Sequence, residues 1–212
     1  MNYLNIINKC LTELNYKSVN SFSELVKNEH IKIKNIINVI NSEICSSFKW
    51  NFLLRTKTVS LPANTGDIEN PIFGKILYLT IDNQKYLYDD NFEKFFTNEQ
   101  KPLTYTIFND KILLPQFRED KLIEIVYYTL NSTKNNNGIE KSSLEFFDDE
   151  TLIPDPFAEP ILVYGTCMRL KGNPQHIRFN YWLSMYKTAL ANLVADSSPS
   201  ANDTPHVKLS RN

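Results

Sequence analysis

Glycine is scarce in this chain, with five in 212 residues, at positions 66, 74, 138, 165 and 172. None falls in a G-x-G or G-x-x-x-x-G-K pattern, so no loop is built to cradle a phosphate in that way. Histidine and cysteine are also scarce, with three of each. No pair among His30, His176, His206, Cys10, Cys45 and Cys167 has the spacing of a zinc-ligand motif, and no cofactor or metal is expected. Three widely spaced cysteines without a CxxC pair exclude a disulfide scaffold and fit free thiols in a reducing compartment. An excess of charge is missing too: 23 Lys and Arg face 24 Asp and Glu. Such a balance supplies no basic field to hold nucleic acid by counterion release. The start of the chain, Met1 to Ile6, has no basic lead and no long apolar run, so neither a secretory signal nor a membrane span is expected.

What is present is enough hydrophobic residue, 42% of the chain, to fill one large core or two small ones. Leu4, Ile7, Leu11 and Leu14 recur at helical spacing and predict a helix over about 3–15, ended by Asn15 and Tyr16. Ile33, Ile37, Ile40, Ile44 and Phe48 predict a second, longer one. Between them Ser21 or Ser23 is available as an N-cap. After Trp50 the period becomes alternating: Leu53, Arg55, Lys57, Val59 and Leu61 share one face of a strand that Pro62 ends.

Asn64 to Pro71 reads as a turn-rich loop, 75–81 as a strand, and Asp82-Asn83 as a hairpin turn into 84–88. Around Phe92, Phe95 and Phe96 the pattern fits a short helix or a loop. Residues 103–108, 111–114 and 122–130 read as a three-stranded meander, followed by a polar, flexible stretch from Asn131 to Gly138. From Pro156 onward a helical period returns with Phe157, Ile161, Tyr164 and Met168 on one face, and the helix is expected to begin within a residue or two of Ala158. Lys171-Gly172-Asn173-Pro174 breaks it, and Asn173-Pro174 reads as the start of a last helix with the stripe Phe179, Trp182, Tyr186, Leu190 and Leu193. These elements predict an α+β fold. Residues 1–50 and 152–195 form a helical module, 51–151 an inserted, mostly antiparallel β domain, and 196–212 a flexible, extended C-terminal tail.

The run from Asp148 to Phe157 joins the β-rich middle to the last helices. Asp148, Asp149, Glu150, Asp155 and Glu159 would suit a divalent cation by chemistry, but no EF-hand spacing is present. Capping of the following helix by its dipole is the better account of these carboxylates. Cys45 and Cys167 lie beside apolar stripes and read as core thiols. A nucleophilic enzyme needs Ser, Cys or Thr on a sharp turn. Gly165-Thr166-Cys167 falls within a helix, so no catalytic residue is expected. Tyr105, Phe108, Tyr127 and Tyr128, with Lys111 and Lys121 nearby, would suit base stacking, although cross-strand packing explains the same aromatics.

Several motifs occur in a telling order. Two helices lead to Phe48-Lys49-Trp50-Asn51-Phe52 opening a strand, Leu61-Pro62 closes it, and Lys101-Pro102-Leu103-Thr104-Tyr105 leads into Ile112-Leu113-Leu114-Pro115. Leu152-Ile153-Pro154, Phe157 and the segment Ile161 to Leu170 complete it. From about residue 4 to 195 this order resembles the head-to-tail adaptors of short-tailed bacteriophages, the tail tubular protein A group of connector ring proteins. The resemblance implies a structural virion protein at the capsid-tail junction, assembled in the host cytoplasm and without enzymatic activity. It implies a homo-oligomeric ring, a dodecamer, between the portal protein and the next tail or nozzle protein. DNA would pass through its channel without sequence-specific binding, and no membrane is involved. By analogy with other adaptors, Pro205, His206, Val207, Lys208 and Leu209 are the portal-binding segment of the tail.

Residues alone support the same class less specifically. Phe52 and Leu54 oppose Leu53, Val59 and Leu61 on the first strand, and Tyr181 and Met185 lie off the main stripe of the last helix. Surface of that kind is buried by a partner, symmetrically in a closed ring, or is covered within one subunit. A head-closure or tail-completion ring protein is the alternative within the class. A small nucleic-acid-binding or regulatory protein built on the meander is the alternative outside it.

Overall fold

The computed structural model describes residues 1–97 and 99–197. The fold is mixed α+β and the described residues divide into two units, one built from Met1–Phe52 together with residues 131–197, the other from Leu53–Leu130. In chain order the helices are α1 (Tyr3–Glu13), α2 (Asn28–Ser47), α3 (Glu93–Thr97), α4 (Gly165–Lys171) and α5 (Phe179–Asp196). The strands of the second unit are β1 (Leu54–Leu61), β2 (Asp67–Glu69), β3 (Gly74–Ile81), β4 (Gln84–Tyr88), β5 (Thr104–Phe108), β6 (Lys111–Leu113) and β7 (Lys121–Thr129). The first unit adds β8 (Thr133–Lys134), β9 (Glu140–Lys141) and β10 (Glu150–Thr151).

The Leu53–Leu130 unit is a seven-stranded sheet in the order β1-β7-β3-β4-β5-β6-β2. All pairings are antiparallel except β4 with β5. Asp82-Asn83 and Asn109-Asp110 turn the β3–β4 and β5–β6 hairpins with positive φ at both positions, the backbone that matches strand twist and that Asn and Asp tolerate best after Gly. Leu61, Leu79, Ile81, Tyr86, Tyr105, Ile112, Leu114, Ile123 and Ile125 form the core of this unit. As the alternation requires, Val59 and Leu61 belong to the inward face of β1.

Two expectations for this region are corrected. The strands of the meander exist, but β7 does not pair with β6. It lies between β1 and β3, from Leu54↔Tyr128 to Leu61↔Lys121 on one side and Gly74↔Thr129 to Ile81↔Ile123 on the other. Nine residues with inward Ile123 and Ile125 are better buried in mid-sheet than beside three-residue β6. The loop expected over 64–71 contains β2, which pairs with β6. The ambiguous Phe92 region forms α3.

The other unit gathers α1, α2, α4, α5 and the small sheet β10-β8-β9. Asn2 caps α1, accepting from the N–H of Asn5 at 2.9 Å. The far end closes as the sequence implies, with Asn15 at φ 60° and the N–H groups of Asn15 and Tyr16 returning to Thr12 O and Leu11 O, a Schellman closure. α2 buries Ile33, Ile37, Ile40 and Ile44, and also His30, Asn41 and Cys45. Phe48 leaves the expected stripe: it is extended and exposed at the helix end, with its ring 5.0 Å from Trp50. Ser21 and Ser23 do not cap α2. Lys27 precedes that helix without a side-chain cap, and Ser21 stands before a single 3₁₀ turn at Phe22–Glu24.

The segment 131–151, expected within the β domain, belongs to the unit of the helices, and its polar residues form β8, β9 and β10 rather than a loose connection. Thr133 and Ser132 are buried there and donate their hydroxyls to the carbonyls of Lys141 and Ser142. Beyond it, Ala158 and Glu159 lead into a π-helical stretch, Pro160–Tyr164, before α4. The wider turn shifts the inward face, so Ile161, Leu162, Val163, Thr166 and Cys167 are buried while Phe157, Tyr164 and Met168 are only half-buried. Gly165 lies where a Cβ would come within 3.1 Å of Ile40 Cδ1 and the Tyr186 ring. Gly172, at φ 56°, ends α4. Asn173 does not cap α5, which begins after Arg178; its Oδ1 accepts from the N–H of Gln175. The expected stripe of α5 points inward, most fully at Trp182 and Leu193.

Candidate interaction surfaces

The portal-binding residues expected from the resemblance, Pro205, His206, Val207, Lys208 and Leu209, lie outside the described residues, as does the tail from 198. Asp196 closes α5.

Among the described residues Glu159 stands at the start of the following helix but gives it no cap hydrogen bond, and Asp149 turns elsewhere. Asp149 is fully buried: its Oδ2 accepts from the N–H groups of Glu145 and Phe146, both at 2.7 Å, and pairs with Lys141 Nζ at 2.8 Å. Burial pushes its pKa up, but Lys141 and the two N–H groups outweigh burial and hold it below the ordinary carboxylate value. Glu150 pairs with Lys134, Glu159 with Lys9, and Glu159 makes no cap hydrogen bond. The segment does cap a helix, though a different one and with its backbone. The carbonyls of Asp149 and Phe147 accept from the N–H groups of Tyr3 and Leu4, two of the unsatisfied donors at the start of α1. Local sequence rules see only the adjacent helix, which is why this role was not legible.

Those contacts hold a turn that carries Phe146 and Phe147, 62% and 55% exposed. Lys141 lies between Asp149 and the Phe146 ring, with Nζ 4.7 Å from the ring centroid. Side chains of this size are rarely left in water on a rigid turn without a partner. The aromatic pair was missed from sequence; its signal was the doublet itself, immediately before the acidic run.

α5 presents a second apolar surface. Tyr181 and Met185 are 50% and 37% exposed and Val194 is exposed, while Lys187 is the single charged residue from Phe179 to Ala195. An ordinary surface helix covers its outer face with charge. Tyr181 is steadied by Tyr164, their rings 5.5 Å apart and their hydroxyls within 3.4 Å. The residues expected to stand off the stripe are thus the exposed ones. On β1, Leu54 is also exposed.

In the sheet unit Phe92, Phe96 and Phe108 make a surface cluster, with Phe92 stacked on Phe108 at 4.8 Å and Phe96 edge-on to both. Beside it a cavity of about 400 Å³ is lined by Phe95, Phe96, Phe108, Leu113 and Leu114.

The aromatics considered for base stacking are largely committed elsewhere. Tyr105 is buried, with burial pushing its phenol up to about 12, and Phe108 is stacked. Lys111 pairs with Asp67 at 2.7 Å and Lys121 with Asp82 at 2.8 Å. Tyr127 presses on Gly74, where a Cβ would meet its ring at 2.6 Å.

Cys10, Cys45 and Cys167 are buried free thiols. Burial raises Cys10 and pushes Cys45 up to about 12, which keeps both protonated and unreactive at neutral pH. His176 stacks on Trp182 at 5.1 Å. Among the described residues no group of three or more His, Cys, Asp and Glu side chains is placed to hold a metal ion, and no helix is long and apolar enough to cross a membrane.

No family model matches the chain, and no curated protein matches it.

Proposed function

We propose that this protein is a structural component of a bacteriophage virion: a head-to-tail adaptor that assembles as a ring between the portal and the tail, with a central passage for DNA. The observation that carries the reading is apolar surface left open on a single copy, above all the nearly uncharged outer face of α5 around Tyr181 and Met185. A cyclic assembly covers such surface once on every subunit. The rigid Phe146–Phe147 turn adds a second anchor of the type that dominates interfaces. The order of motifs from Phe48-Lys49-Trp50-Asn51-Phe52 to Leu152-Ile153-Pro154 supports the adaptor identity within that class. A nucleic-acid-binding reading is weakened by the commitment of Tyr105, Phe108, Lys111 and Lys121 to contacts within the chain.

Mixing the purified protein with portal and imaging the product tests the proposal. A ring bound to the portal is expected. A protein that stays monomeric with portal, and instead shifts single-stranded DNA with a steep salt dependence, overturns it. A ring that binds a tail component but not the portal reassigns the protein to head closure or tail completion.

A further inference from the structure

Three consecutive asparagines, Asn135, Asn136 and Asn137, followed by Gly138, turn the chain from β8 into β9. They are not equivalent. The N–H of Asn135 donates to Ile139 O at 2.9 Å, and its carbonyl accepts from the N–H of Gly138 at 2.9 Å. Its Oδ1 accepts from the N–H groups of Asn137 at 3.0 Å and Ile139 at 2.8 Å. Asn135 therefore holds the turn. Asn136 and Asn137 are exposed, and neither side-chain amide has a hydrogen bond among the described residues.

Gly138 separates Asn137 from the other two. No other asparagine in the chain is followed by glycine. The backbone nitrogen after an asparagine can attack that side chain's carbonyl carbon through a five-membered ring, and the Cβ of the following residue is the chief steric obstacle. Asn136 is followed by a residue with a Cβ. At Gly138, with φ 79°, there is none, and one placed there would meet nothing within 4 Å. Against the attack stands the bond from Gly138 N–H to Asn135 O, which must open before the nitrogen can turn toward Asn137 Cγ.

We infer that Asn137 is a site of spontaneous deamidation and that Asn135 sets its rate by keeping the turn closed. The Gly138 nitrogen gives its proton to water and bonds to Asn137 Cγ; the Cγ–Nδ2 bond breaks, and Nδ2 leaves as ammonia, taking up a proton from water. A second water opens the resulting succinimide at either carbonyl, which yields aspartate or isoaspartate. Overall one water is consumed and one ammonia released. Both products carry a new carboxylate, and isoaspartate also lengthens the main chain by one carbon inside the turn that Asn135 holds. The site lies wholly in the unit of the helices and stands independently of the ring reading.

The test is peptide mapping by mass spectrometry of the full chain held in mildly alkaline buffer, with the same chain in urea as reference and chromatography to separate aspartate from isoaspartate. The expected result is a gain of one mass unit confined to Asn137, slower in the folded chain than in urea. Asn135→Ala should speed it about fivefold in the folded chain, the worth of one net hydrogen bond, and leave the rate in urea unchanged. Matching far-UV circular dichroism would show that this variant is folded. Asn137→Gln should remove the change, because glutamine needs a six-membered ring. A folded chain still intact at Asn137 when the chain in urea has converted overturns the proposal, as does conversion of Asn135 or Asn136 at a similar rate. Equal rates in the folded chain and in urea, or an Asn135→Ala variant no faster than the parent, overturn the role given to Asn135.

Discussion

The two units hold themselves together in different ways. Leu53–Leu130 is one continuous stretch whose core is almost entirely apolar and whose ion pairs, Lys111 with Asp67 and Lys121 with Asp82, lie at the surface. The helical unit is assembled from two stretches separated by that insertion, and polar side chains join them inside. Asn41 donates to Ser132 O at 3.0 Å and accepts from Thr151 Oγ1 at 2.6 Å. Asn38 both donates to Leu144 O and accepts from its N–H. Asp149 anchors the same region. A hydrophobic surface accepts a partner in many registers, whereas a satisfied buried amide accepts one. Where remote segments must meet, directional bonds set the register; where neighbours in sequence pair, alternation and two tight turns are sufficient.

That contrast can be broken from either side. The largest effect is expected at Trp50, 1% exposed, its Nε1 donating to Ile44 O and its ring stacked on Phe52. Trp50→Ala should cost about 3–5 kcal/mol in urea unfolding. Hydrogen exchange should accelerate in α1, α2 and α4 before it does in β3 and β7. Simultaneous loss of both sets would show that the units are one cooperative body.

Next is Asp149. Asp149→Ala removes three hydrogen bonds to a charged acceptor and should cost about 2–3 kcal/mol at neutral pH. Because its pKa in the folded state is depressed, its contribution is complete above the ordinary carboxylate value near 3.9. It is lost as pH falls through the lower folded value. Stability should therefore hold from neutrality to about pH 5 and decline below about pH 4, less steeply in Asp149→Asn. An equal decline in both proteins would assign the acid sensitivity to other carboxylates.

A smaller effect isolates the sheet. A Cβ at Gly74 would stand 2.5 Å from Tyr128 O and 2.6 Å from the Tyr127 ring. Gly74→Ala should then cost about 1–2 kcal/mol and deprotect β3 and β7 while α2 exchanges as before. The smallest effect belongs to Lys111→Ala, which breaks only exposed pairs with Asp67 and Glu69. Its thermal midpoint should be indistinguishable from that of the parent protein. A clear loss there would mean that surface charge stabilises the sheet after all.

The candidate surfaces divide along similar lines. Tyr181 and Met185 stood out in sequence because they fall off the α5 stripe, a judgement that needs only 3.6-residue periodicity. The stacking of Phe92 on Phe108 did not, because it depends on how segments apart in the chain pack together. Phe146 and Phe147 were hidden for a related reason: the turn that exposes them is fixed by the Asp149 carboxylate, which the sequence assigned to capping a helix.

By itself the sequence determined the α+β class, the stripes of α1, α2 and α5, the strands β1, β3, β4, β5, β6 and β7, and the turns at Asp82-Asn83 and Asn109-Asp110. Each depends on side-chain period or on backbone preferences within a few residues. Only the tertiary structure decided that β7 lies between β1 and β3, that 131–151 joins the helices, and that Asp149 serves α1 from the far side of the insertion. Pairing partners and buried polar bonds link residues far apart in the chain. Their energy depends on which surfaces are desolvated together, a quantity that no local window contains.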